Sequence, residues 1–204
     1  MEGLLIVMSG FSGAGKGTLM KRMLADYEEF CFSVSMTTRA PREGEVDGKD
    51  YFFVDRPAFE KAISEDGFVE YAEYCGNYYG TPKSYVDKQL KAGKCVILDI
   101  EVQGAMQIKE KFPDALMVFV TPPSIEVLIE RLRARGTETE EVIQKRIKRA
   151  KEEALSIGKY EYIVVNDDLD EAVKDMHEMV MAARFSTFRN RDFINSIKEE
   201  LNQY

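Results

Sequence analysis

The residues of this 204-residue chain most able to do chemistry lie together in Gly10-Phe11-Ser12-Gly13-Ala14-Gly15-Lys16-Gly17-Thr18. A glycine-rich turn ahead of a helix aims successive backbone N–H groups into one small volume, and the helix start adds partial positive charge there. Glycine suits such a turn because the backbone takes unusual angles and must approach a ligand closely. Lys16 adds an ammonium group suited to the outer phosphates of a nucleotide. Gly10, Gly15 and Lys16 meet the spacing G-x-x-x-x-G-K of a phosphate-binding loop. The next residue is Gly17, and the hydroxyl arrives one place later at Thr18. The sequence therefore leaves open whether Thr18 or a water completes the shell of a Mg²⁺ ion. An ordinary glycine-rich βα turn is the competing reading. The apolar run Leu4–Met8 before the turn and the helical pattern Leu19–Leu24 after it favour the phosphate loop.

Such a loop needs an anionic ligand, yet the chain carries 28 Lys and Arg against 36 Asp and Glu, a net charge of −8. That balance argues against a protein that grips nucleic-acid backbones. The cations must be local. Arg131, Arg133, Arg135, Lys145, Arg146, Lys148, Arg149 and Lys151 crowd one segment, and Arg39 and Arg42 form a smaller group. Within the segment, Arg133 and Arg149 are expected on solvated faces. Cys31, Cys75 and Cys95 lack metal-ligand spacing and read as reduced thiols of a cytoplasmic protein. The single His177 lies in a helical pattern, which speaks against histidine-based catalysis or a zinc site. No segment reads as a membrane span or a signal peptide.

The elements that must hold these groups follow from hydrophobic periodicity. Strands are expected at Leu4–Met8, 31–35, 51–54, 68–74, 95–100, 116–120 and 162–166, with a turn at 76–80. Helices are expected from the loop to about Tyr27, at 57–65 with Asp55 as cap, 85–92, 104–111, 125–135 capped by Ser124, and about 140–157. Thr137 to Glu140 fits a capping box for the last of these. A closing helix 169–185 and a tail helix over 189–204 follow, the tail carrying no chemical signal. Buried strands alternating with helices imply an α/β, three-layer P-loop fold with a central parallel sheet. Asp99 and Glu101 would then sit at a strand's carboxyl end, where ligands bind in open parallel sheets. Residues 35–85, rich in tyrosine and strand signals, read as an inserted mixed α/β subdomain, and 125–152 as a helical lid. The core comprises 1–34, 86–124 and 153–204.

The phosphate loop is followed in order by Ser35-Met36-Thr37-Thr38-Arg39-Ala40-Pro41-Arg42-Glu43-Gly44-Glu45 and Gly76-Asn77-Tyr78-Tyr79-Gly80. Leu98-Asp99-Ile100-Glu101-Val102-Gln103-Gly104, Arg135-Gly136-Thr137-Glu138-Thr139 and Val165-Asn166-Asp167-Asp168 complete the series. Over roughly residues 4 to 183 the chain resembles the guanylate kinases. The resemblance implies transfer of the γ-phosphoryl group of ATP to GMP, with dGMP as a further acceptor, and Mg²⁺ accompanying the nucleotide. It implies small-molecule partners, ATP and GMP, and neither nucleic acid nor membrane. The acceptor phosphate, with a second pKa of roughly 6, is already a nucleophile at neutral pH, so no general base is required. Cation density around the phosphates is required.

The resemblance further implies the site residues. Ser12, Gly13, Ala14, Gly15, Lys16, Gly17 and Thr18 would take the ATP phosphates, and Asn166 and Asp167 the adenine side, with a plain turn and helix cap as the rival reading. Arg39, Arg42, Tyr51 and Tyr79 would hold the GMP phosphate, since a guanidinium engages two phosphate oxygens at once. Ser35, Glu70, Thr81 and Glu101 would read guanine: carboxylates accept from N1–H and N2–H, and hydroxyls donate to O6. Adenine, which has no N1–H, would strand a desolvated carboxylate. Glu45 would support this network. Arg131, Arg135 and Arg146 would close on the ATP phosphates, and Asp99 would stand near the metal, directly or through water. Two departures from the family pattern are Gly17 in place of a hydroxyl residue and Glu101 in place of Asp. A scaffold domain that binds peptides, and a kinase of the same fold with another acceptor, are the rival functions. The retained Lys16 and phosphate arginines argue against the first, and Glu70, Thr81 and Glu101 against the second.

Overall fold

The computed structural model describes residues 3–74, 76–134 and 139–204. Its centre is a five-stranded sheet, parallel at every pairing, in the order β2-β7-β1-β8-β9. The strands are β1 (Leu4–Gly10), β2 (Phe30–Phe32), β7 (Cys95–Asp99), β8 (Leu116–Thr121) and β9 (Tyr162–Val165). Alternating side chains divide between two cores, as the period of a strand requires. Leu4, Ile6 and Met8 of β1 enter one core with Ile97, Val118 and Val120, while Leu5 and Val7 enter the other with Val96, Leu98 and Met117. Burial on both faces is why these strands are apolar without interruption.

Helices cover both cores. The first takes Leu19 and Met23 of α1 (Lys16–Asp26), Leu128 and Leu132 of α5 (Ile125–Ala134), Ile143 and Ala150 of α6 (Glu140–Ala154), and the apolar stripe of α7 (Leu169–Ala183). The second takes Val86 of α3 (Lys83–Lys91) and Ala105 and Ile108 of α4 (Val102–Lys111). A tail helix α8 (Arg191–Leu201) has no buried residue. Among the described residues no helix is long and apolar enough to cross a membrane.

A second sheet of four strands runs β4-β3-β6-β5. It comprises β3 (Met36–Thr37), β4 (Phe52–Phe53), β5 (Phe68–Tyr74) and β6 (Asn77–Pro82), with α2 (Arg56–Ser64) between β4 and β5. The Asp55 side chain caps α2 by accepting from the Ala58 N–H. Phe59, fully buried, stacks on Phe68 and Tyr78 and ties α2 to this sheet.

Four expectations change. The strand expected over 31–35 is cut at Phe32, because the chain leaves the central sheet there and starts the second at Met36. The turn expected over 76–80 is confined to its start, with Gly76 at φ 76° and Asn77 onward pairing with β5. The helix expected to reach Ile157 stops at Ala154, and a 3-10 turn, Ile157–Lys159, follows. The expected capping box begins at Thr137, which with Glu138 lies outside the described residues; the N-cap of α6 is Thr139, whose side chain makes no cap hydrogen bond.

Candidate active site

The glycine-rich segment bridges the end of β1 and the start of α1. Gly15 is the N-cap of α1 in the left-handed region, φ 89°, with no side chain to occupy the N-terminal N–H groups. The first turn of α1 carries no acidic residue, so its partial positive charge remains for a ligand. Lys16 Nζ donates to the carbonyls of Gly10 at 2.8 Å and Phe11 at 3.3 Å. The ammonium therefore lies over the loop. Gly10 itself is required by its neighbour: a Cβ there would sit 2.1 Å from the Val120 carbonyl oxygen.

A cleft of about 660 Å³ joins Lys16 and Ser12 to Asp99 and Glu101 at the end of β7 and to Lys145, Arg146 and Arg149 on α6. Arg146 Nη1 donates to the Ser12 hydroxyl. Arg149 pairs with Glu101 at 2.6 Å and with Glu153 at 3.1 Å. Asp99 opens onto the cleft, yet the protein packed around it displaces water and pushes its carboxyl pKa up, against the pull of the Lys16 ammonium. A smaller cavity of about 370 Å³ brings Thr18 and Asp99 together beside Gly15 and Lys16. Both offer hard oxygen donors, the kind Mg²⁺ prefers.

The second sheet gathers another group. Arg39 Nη2 donates to both carboxylate oxygens of Glu45, at 2.8 and 3.0 Å, and the Arg42 backbone N–H donates to the same carboxylate at 2.7 Å. The Arg39 guanidinium lies 5.4 Å from the Tyr51 ring centre, and Tyr51 and Tyr79 meet edge to face at 6.1 Å. Beside them Thr81, 1% exposed, donates from Oγ1 to Glu70 Oε1 at 2.8 Å. Burial pushes the Glu70 carboxyl up from the usual range, and the Thr81 hydroxyl partly offsets this. Strand register extends the row: Glu70 faces Thr81, and Ser35 precedes Met36, which faces Gly80.

Thus Lys16, Asp99, Glu101 and Arg146 line one cleft, while Arg39, Glu45, Tyr51, Tyr79, Glu70 and Thr81 cluster on the other sheet and do not line it. Arg131 also lies apart, donating to the backbone carbonyls of Asn166 at 2.8 Å and Asp167 at 3.4 Å. The cap of α7 is Asp168, whose carboxylate accepts from the N–H groups of Asp170 and Glu171. Arg135 lies outside the described residues. Arg133 pairs with Glu140 on an exposed face. Arg149, exposed as expected, also lines the cleft. Its position was readable from helical spacing, since Val142, Lys145, Arg146, Arg149 and Glu153 share one face of α6.

A phosphate loop at the carboxyl end of a parallel sheet, faced by a helix bearing cations, defines a P-loop phosphotransferase. A Thermus thermophilus protein shares the fold, with a TM-score of 0.51 at 13% identity. The guanylate kinase family model matches residues 2–183, and the chain belongs to that family. It is 48% identical over 199 residues to a guanylate kinase of Caldanaerobacter subterraneus subsp. tengcongensis, covering 98% of this chain and 97% of the relative. It is 52% identical over 189 residues to one of Streptococcus thermophilus, covering 92% and 90%. The crystal structure of guanylate kinase from Anaplasma phagocytophilum superposes with a TM-score of 0.70 at 33% identity, covering 92% of this chain and 89% of that one.

Proposed function

We propose that the cleft at Lys16 takes the ATP phosphates and the second-sheet cluster takes GMP, in the reaction that defines the family: phosphoryl transfer from ATP to GMP. The observation that carries this assignment is the pairing of buried Thr81 with half-buried Glu70 beside the Arg39 and Tyr79 group. A desolvated carboxylate suits the N–H edge of guanine, and a guanidinium between tyrosines suits a phosphate. Glu101, at the rim of the cleft, would reach the base from the other side. Ser35 would donate to it, and Arg42 would join Arg39 on the phosphate.

On the donor side, the loop residues Ser12 to Thr18 cradle the phosphates, and Lys16, Arg146 and Arg149 spread their charge. Arg135 is assigned with them as a lid arginine. Thr18 and Asp99 would hold Mg²⁺, directly or through water. When bound, the ion supplies charge neutralisation at the phosphate oxygens. The division follows the chain: residues 35–85 as the acceptor-binding unit and 125–152 as a lid that closes over the core. Because the two groups line separate surfaces, closure is needed to bring donor and acceptor together and exclude water. A cytoplasmic enzyme of purine nucleotide metabolism is the setting that fits free Cys31 and the buried Cys95.

The test is ADP production measured side by side with GMP, dGMP, AMP, CMP and UMP. GMP and dGMP should be consumed and the others rejected, and Glu70→Gln should erase most of that preference. Equal use of AMP and GMP by the unaltered enzyme would reject the assignment.

A further inference from the structure

We propose that Asn166 is a positioning residue that sets the phosphate loop, rather than a reader of the adenine ring. Its side chain is 6% exposed, and Nδ2 donates to the Ala14 carbonyl at 2.8 Å across 152 residues of sequence. Ala14 is itself fully buried in the loop. A trans peptide is planar, with its C=O and N–H pointing in opposite directions. Drawing the Ala14 carbonyl toward Asn166 therefore turns the Gly15 N–H the other way, toward the cavity that Gly15 lines with Lys16 and Thr18. A donor for the phosphates is thus aimed from outside the loop.

Two further contacts hold Asn166. Its backbone N–H donates to the Thr121 carbonyl at 2.8 Å, and its own carbonyl accepts from Arg131 at 2.8 Å. The strut runs from α5 through Asn166 to the loop, which gives Arg131 work at a distance from the phosphates. It also explains Gly15 a second way. A Cβ there would stand 2.3 Å from Asn166 Nδ2, so the amide occupies the space that a side chain would need.

The proposal rests on the loop as the phosphate site and needs no assumption about the acceptor. The test compares Asn166→Ala and Asn166→Asp with the unaltered protein by three measurements: ATP-displaceable binding of inorganic tripolyphosphate, the KM for ATP, and the KM for GMP. Both variants should bind tripolyphosphate and ATP about tenfold more weakly, as expected for one lost buried hydrogen bond, with the KM for GMP within twofold. Asp matches Asn in size but donates only when protonated. Relative to the unaltered protein at each pH, Asn166→Asp should therefore recover as pH falls toward 5, and Asn166→Ala should not. A variant that merely loosened the fold would lack this difference. Weakened ATP with undiminished tripolyphosphate would make Asn166 an adenine reader and overturn the proposal, as would unchanged binding of both. Tripolyphosphate loss in a protein that proves not to use GMP would leave Asn166 in place and reject only the acceptor assignment.

Discussion

Thr81→Val tests the proposed base-reading cluster with a small change. Valine keeps the shape of threonine and removes the hydroxyl that donates to Glu70 at 2.8 Å. A hydrogen bond to a charged group contributes about 1.5–3 kcal/mol, and its loss leaves the partly buried Glu70 carboxylate with only its backbone partner at residue 81. That range corresponds to roughly a 10- to 150-fold fall in kcat/KM for GMP. The KM for ATP should stay within twofold, because Thr81 does not line the cleft at Lys16. The hydroxyl holds the Glu70 pKa down against burial, so removing it moves that pKa further up. The acid limb of the GMP profile should then shift to higher pH, since the protonated acid is a weaker acceptor and can no longer take both guanine N–H groups. Burial raises the Glu70 pKa in the folded state above its unfolded value, so its contribution to stability is present at low pH and is lost as pH rises through its folded pKa. The stability deficit of Thr81→Val should accordingly be larger at pH 7 than at pH 4, by denaturant titration. GMP kinetics within twofold of the unaltered enzyme would refute the reasoning.

Lys16→Ala should lower kcat by about 10²–10³-fold in a protein that still folds by circular dichroism; near-normal turnover would contradict this. Gly15→Ala should cost about 2–4 kcal/mol, combining a left-handed backbone with displacement of the Asn166 amide. That predicts a Tm about 5–15 °C lower by calorimetry, whereas Gly17→Ala, with open space around its Cβ, should be close to neutral. The Cys31 thiol is pushed by burial from 9.0 to about 11. Its alkylation by iodoacetamide at pH 8, followed by mass spectrometry, should therefore run about a hundredfold slower than that of a free thiol.

The central strands were legible because burial on both faces leaves them apolar throughout, as in Cys95-Val96-Ile97-Leu98. The crossing between sheets was not, because Ser33 and Val34 are buried at 2% and 7% without being strand, so their composition imitates one. Gly80 misled in the other direction. It is a strand residue whose Cβ would meet Phe68 at 2.8 Å and Tyr71 at 2.9 Å, so its absence of a side chain serves close packing rather than a turn. The loop's place between β1 and α1 was readable from local spacing. Its anchor was not: Asn166 and Ala14 are joined only by the fold, and Arg131 reaches the same point from a third element. Long-range hydrogen bonds of this kind leave no periodicity to read.

The carboxylates of Glu45 and Glu101 each hold a guanidinium, those of Arg39 and Arg149. The protein is thus partly its own counterion. On the proposed reading, a free inorganic phosphate entering either place would have to break a ready-made pair, with only its P–O–H groups to offer the displaced acid. A nucleotide would bring the hydrogen-bond donors of its base and sugar along with its anion. On that reading, occupancy by the simplest competitor would be discouraged before any shape is tested.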